Sequence, residues 1–227
     1  MNNNKNKTKN EREKLETIIL SGKDGVEDHE LLGLAICSGN RLAKSIAIAE
    51  KLIHFFGGIG GAINSDYHQL LSIDSEMTDS MVTIIFCIKK MLARILRGQL
   101  KELPVIDNEV ILRDYLKLVI GQSRKERLRV MYLNQSYQLI YEYIQDFGTV
   151  DRTPMYLREI IGKGLNLNAT SIIVAHNHPS RDLKPTKEDK ESTLDLVLTC
   201  MKLGIEFVDH IIVTETGYFS FKENNLL

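Results

Sequence analysis

The sequence has no tryptophan, only three cysteines and four prolines, and no surplus of either charge. Each absence excludes something. Cys37, Cys87 and Cys200 are odd in number, far apart and set in apolar helical patterns. They make neither a disulfide framework nor a thiolate metal site, and are expected to be reduced core residues of a cytoplasmic protein. A net charge of −1 gives no global basic surface for nucleic acid. The stripe Lys89, Lys90, Arg94 and Arg97 on one helix reads as a solvated face, with weak nucleic-acid contact as the minority reading. The longest apolar run, Met81–Ile88, is too short to cross a bilayer, so no membrane partner is expected. The N-terminus is polar and lacks the apolar core of a secretory signal.

What is present suits an ordinary globular chain. At 227 residues and 43% hydrophobic, there is room for one large domain or two small ones. Residues 1–10 form a polar tail expected to be disordered. Helical spacing then dominates to about residue 100. It runs through Glu11–Leu20, a stripe of Leu31, Leu32, Leu34 and Ala35 stopping at Ser38-Gly39-Asn40, and Lys44–Phe56. The glycines of Gly57–Gly61 read as an inter-helix loop, followed by a short helix Asp66–Ile73. A long helix starts at Thr78-Asp79 and carries Val82, Ile85, Ile88, Leu92 and Ile95. Residues 11–100 therefore read as a helical leader domain, and Pro104 marks the start of a second domain, 104–227.

In that second domain Glu109–Ile120 is helical, and the period then changes from 3.6 to 2. Arg127–Leu133 and Gln138–Ile144 read as paired strands. A helix Pro154–Leu167 opened by proline, a buried strand Ser171–Ala175 and a helix Thr186–Leu203 follow. Ile205–Thr214 and Tyr218–Phe221 close the chain as strands. The fold class is α+β: a small all-helical domain, then a mixed sheet flanked by helices.

The chemistry concentrates in Ile172–Asp189. An apolar strand delivers His176 and His178, which at i and i+2 face the same side. Asp189 can return to that point from the next helix. Two imidazoles and a carboxylate that leave one position open are the equipment of a catalytic zinc site. His-x-His alone is a weak signal. Thr186-x-x-Asp189 also fits a capping box, in which Asp189 merely holds the helix start. A zinc deaminase would need His-x-Glu and Pro-Cys-x-x-Cys, both absent. Asp209-His210 reads as a satisfied core pair, and His29, His54 and His68 as structural or exposed.

Residues 176–189 resemble the JAMM zinc signature of the MPN/JAB metalloprotease superfamily, His-x-His-Pro followed by Ser or Thr and then Asp. The wider frame resembles the bacterial RadC-like (UPF0758) branch: AHNHPS at Ala175–Ser180, Arg158-Glu159 before it, GIEFVDHIIV at Gly204–Val213. So do EREKL at Glu11–Leu15, HELLGLAICSG at His29–Gly39 and FGGIGGAI at Phe56–Ile63. The resemblance implies a cytidine-deaminase-like JAMM/MPN fold and one Zn2+ held by His176, His178 and Asp189. It also implies Glu126 as acid and base, with Glu142 as the fallback, and Thr186 in the position of the oxyanion donor. The implied activity is hydrolysis of an amide bond in a peptide or protein. The alternative is a non-enzymatic DNA-repair accessory that binds DNA weakly.

Two departures stand out. Where the family has Gly after His-Pro-Ser, this chain has Arg181. If that position needs positive φ, Arg is strained there; alternatively Arg181 reaches over the cleft as a substrate contact. Where the leader's helix-hairpin-helix has Gly-Ile-Gly, this chain has Ile73–Thr78, without glycine and with acids Asp74 and Glu76. The turn reads as lost for phosphate binding.

Overall fold

The computed structural model describes residues 12–39, 41–146 and 156–227. The polar tail 1–10, Asn40 and the expected Pro154 helix start lie outside them. The chain divides into two compact units, one ending at Met91 and the other starting at Leu92.

The first unit is helical. Helix α1 covers 12–20, α2 Asp28–Ile36, α3 Leu42–Phe56, α4 Ile59–Asn64, α5 Tyr67–Ile73, and α6 Asp79–Glu102 begins here. Acidic caps start two of them: Glu30 returns to the Glu27 amide, and Asp66 and Gln69 bond each other's backbone. The buried face of α2 is Leu32, Gly33 and Ile36, with Leu31 exposed. Gly33 sets that choice, because a Cβ there would meet the Ile46 backbone at 2.6 Å. The expected glycine loop is mostly helix. Gly57, at φ +74°, closes α3 in the left-handed region, and Ile59 already starts α4.

The long helix α6 serves both cores. Its first half buries Met81, Val82 and Ile85 in the helical unit. Its second half directs Ala93, Leu96 and Leu100 to the core of the other unit. The stripe expected from Leu92 and Ile95 is therefore displaced by one residue, and both are exposed. The spacing of the apolar residues allows either face; the partner selects one.

The second unit is a five-stranded mixed sheet between two helical layers. A 3-10 turn (Val105–Asp107) leads into α7 (Glu109–Ile120). The remaining order is β1 (Arg127–Leu133), β2 (Leu139–Asp146), α8 (Leu157–Asn166), β3 (Ser171–Asn177), α9 (Lys187–Lys202), β4 (Glu206–Val213) and β5 (Tyr218–Ser220). Spatially the strands run β2-β1-β3-β4-β5, all neighbours antiparallel except β3 with β4. That parallel pair is joined by α9, as a crossover must be. Alternate residues divide between two cores. Met131, Leu133, Ile173 and Ala175 pack with α7. Leu128, Val130, Tyr132, Ile172 and Val174 pack with α8 and α9. β3 runs on past the expected Ala175 to include His176 and Asn177.

Candidate metal centre

The end of β3 and the start of α9 meet on the α8/α9 face. His176 pairs with Leu128 across β1 and shares its face; it is 2% exposed. His178 lies just beyond the strand, where its amide donates to the Val213 carbonyl at 3.2 Å and prolongs the ladder with β4. Asp189 comes back in the first turn of α9. The result is a cluster: His176 Nε2 and His178 Nε2 are 2.9 Å apart, and each is 3.3 Å from an Asp189 oxygen. Among the described residues this is the one group of three or more His, Cys, Asp or Glu side chains with ligand atoms so placed, all within 4.8 Å of one another. His29, His54 and His68 lie in the helical unit, outside it.

The capping box and the cluster coexist. Thr186 Oγ1 accepts the Asp189 amide at 3.1 Å, and Asp189 Oδ2 accepts the Thr186 amide at 2.8 Å. A carboxylate has about four lone-pair positions, enough for a cap and for a cation. The box aims the carboxylate at the histidines rather than competing with them. Thr186 Oγ1 accepts that bond, and its hydroxyl also acts on the Asp189 carboxylate, whose pKa it lowers.

The three groups shift one another's pKa values in different directions. Burial pushes the His176 imidazole down to about 4, with Asp189 pulling upward and His178 pushing further down. Burial also acts downward on His178. Its hydrogen bond to Asp189, the Asp182 carbonyl and the charges of Asp189 and Glu126 outweigh this, and its pKa rises. Burial acts upward on Asp189, yet His178, His176 and Thr186 together hold it well below the usual carboxylate range. A carboxylate facing two imidazole nitrogens has the donor set of a cation site once both nitrogens present lone pairs.

The flanking residues are placed as follows. Glu126 is half-buried immediately before β1. Continuing the antiparallel register from Leu128↔His176 sets it opposite His178, whose pKa its charge raises. Asn177, facing away from the cluster, locks this edge. Its Oδ1 accepts the Arg127 amide at 2.9 Å, and its Nδ2 donates to the carbonyls of Ser123 and Lys125 at 3.0 and 3.2 Å. Glu142, the fallback for Glu126, lies on the other face of the sheet, bonded to Tyr115, Arg97 and Arg129. Strand alternation keeps it from the histidines.

Arg181 has φ +66°, so the left-handed backbone that glycine would adopt freely is present. Its guanidinium pairs with Glu215 at 2.9 Å and is 65% exposed. Two residues of the site escaped sequence reasoning. His210 is fully buried, and its ring bonds His176 and Thr193, while the Asp209 carboxylate turns the other way to Ser220. The one available hint was Thr193, four residues after Asp189 and so on the same helix face.

Comparison with known proteins agrees with this architecture. The RadC-like JAB domain family matches residues 106–226. A UPF0758 protein of Fusobacterium nucleatum is 33% identical over 219 residues, spanning 93% of this chain and 94% of its own length. One from Leptothrix cholodnii is 30% identical over 212 residues, with 93% and 95% covered. One from Actinobacillus pleuropneumoniae is 29% identical over 208 residues, with 92% and 94% covered.

Proposed function

We propose a zinc-dependent amide hydrolase of JAMM type, on the premise that this chain belongs to the RadC-like JAB family. The observation that carries the reading is the convergence of His176 Nε2, His178 Nε2 and the Asp189 carboxylate on one point. These three residues would hold the ion. The chemistry that zinc supplies when bound is Lewis acidity, which activates water near neutral pH and polarises a carbonyl.

The chain's own groups divide the remaining work. Glu126, fixed at the edge of β1 by the Asn177 bridge, takes a proton from the attacking water and returns it to the leaving amine. Thr186 donates its hydroxyl to the oxyanion of the tetrahedral intermediate; such a donor is worth about 3–4 kcal/mol. Arg181, exposed and three residues after His178, contacts the peptide or protein substrate in exchange for its surface pair with Glu215. In this proposal the protein is cytoplasmic and its three cysteines are free thiols; of these only Cys200 is in the core, as expected, while Cys37 is half-buried and Cys87 exposed. Its hydrolase domain, 104–227, follows a separate helical leader. The DNA-accessory reading is less favoured by the hairpin turn. Asp74 holds Lys51 at 2.6 Å and Glu76 holds Lys44 at 2.8 Å, so the acids there occupy the nearby cations.

The test is zinc content after purification without added metal, beside His178→Ala and Asp189→Ala. About one zinc per chain, lost in both variants, is expected. Glu126→Gln should keep the zinc and lose peptide and isopeptide hydrolysis by about 10²–10⁴-fold. Wild-type protein that neither carries nor takes up zinc would sink the hydrolase reading.

A further inference from the structure

Behind the three ligand atoms runs a chain of hydrogen bonds. Thr193 Oγ1 is 2.5 Å from the Asp189 carbonyl and 2.6 Å from His210 Nδ1. His210 Nε2 is 2.8 Å from His176 Nδ1. His210 is fully buried, stacked on Phe221 with ring centroids 4.6 Å apart, and neither of its ring nitrogens bonds a carboxylate. A buried imidazole in such a place is neutral and carries one ring proton.

The directions then follow from one acceptor. A carbonyl can only accept, so Thr193 donates its single proton to the Asp189 carbonyl. The Thr193 oxygen accepts from His210 Nδ1. His210 Nε2 is left with a lone pair, and His176 Nδ1 donates to it. His176 Nε2 is thereby bare, on the side facing His178 and Asp189. The other histidine is held in the same way at Nδ1, which donates to the Asp182 carbonyl at 2.7 Å, so that loss of a proton from its Nε2 leaves the same tautomer.

We propose that His210, steadied by Thr193, is a positioning residue that fixes His176 as the Nδ1–H tautomer and so keeps its Nε2 as a metal ligand. The proposal rests on the metal reading above. It adds that a third histidine, from β4, replaces the carboxylate or carbonyl that usually orients a metal-bound imidazole. It also gives α9 a second hold on the site, because Thr193 and Asp189 come from the same helix.

The experiment compares wild type, His210→Leu, His210→Gln and Thr193→Val. Zinc affinity is read by competition with a chromophoric chelator, and histidine tautomers of the metal-free chain by two-bond 15N–1H spectra. His210→Leu fills the volume without an acceptor and should weaken zinc binding about 10–100-fold. His210→Gln keeps an acceptor oxygen and should stay within a few-fold of wild type. Thr193→Val should fall between them. Metal-free wild type should show the His176 proton on Nδ1. Wild-type affinity in a folded His210→Leu chain, or a His176 proton on Nε2, overturns the proposal. Equal weakening in His210→Leu and His210→Gln also overturns it, by showing that only packing was lost. If wild type binds no zinc, the metal reading fails by itself, and the 15N spectra still decide the tautomer.

Discussion

The two faces of the sheet each set a carboxylate among polar groups, Glu142 buried and Asp189 half-buried, and they use it in opposite ways. On the α7 face, Glu142 accepts from Tyr115 at 2.7 Å, Arg97 at 3.1 Å and Arg129 at 3.2 Å. All three partners bring their own protons, and two are permanent cations. Burial and the Glu142 charge push the Tyr115 phenol further up, so it stays a donor. On the α9 face, Asp189 meets imidazoles whose outward nitrogens are engaged by His210 and the Asp182 carbonyl. Their inward nitrogens, 2.9 Å apart, face each other and the carboxylate. In the first cluster two permanent cations offset the carboxylate and hold the fold together, although Arg129 Nε is left without a hydrogen-bond partner. The second groups ligand-type atoms with no Lys or Arg among them, the arrangement that the proposed metal site needs.

This contrast can be broken by a crossed pair of substitutions. Glu142→Gln should have the largest effect on stability, about 3–5 kcal/mol, because it leaves Arg129 buried without its counter-charge. Zinc affinity should be unchanged. Asp189→Asn should do the reverse, abolishing zinc binding while costing the zinc-free chain only about 1 kcal/mol of helix cap. Denaturant unfolding and zinc titration of both variants check the prediction. Equal stability losses would show that the two carboxylates do the same job.

Acid sharpens the comparison. Asp189 has a folded pKa held below the 3.8 of a free aspartate. Its ionised form therefore stabilises the fold above that value, and the contribution is lost as pH falls towards the folded pKa. Unfolding of wild type and Asp189→Asn, both zinc-free, should differ most near neutrality and converge in strong acid.

The smallest effect is expected at the rim. Arg181→Gly relieves a positive φ and gives up an exposed ion pair worth little. It should raise stability by up to about 1 kcal/mol and leave zinc affinity intact. If Arg181 contacts substrate, KM should rise while kcat stays near wild type.

Much of the site could be read without a structure because its parts are local. His176 and His178 share a face through strand alternation, and Thr186 with Asp189 closes a capping box three residues long. Arg181 could be suspected of positive φ from the residue it displaces. Glu142, in contrast, could not be separated from Glu126 by pattern, because which face a strand residue takes depends on where the strand starts. The α6 stripe was misjudged by one residue for a similar reason: a helix with two partners has no single apolar face.

The sequence by itself determined the ligand types, their spacing, the caps that aim them and the order of helices and strands. These depend on contacts within a few residues and on backbone periodicity. Tertiary structure alone decided that His210 stands behind His176, that Asn177 ties the edge bearing Glu126, and that Glu142 belongs to the opposite face. Those facts depend on the register between strands distant in sequence, which is set by how both cores pack at once.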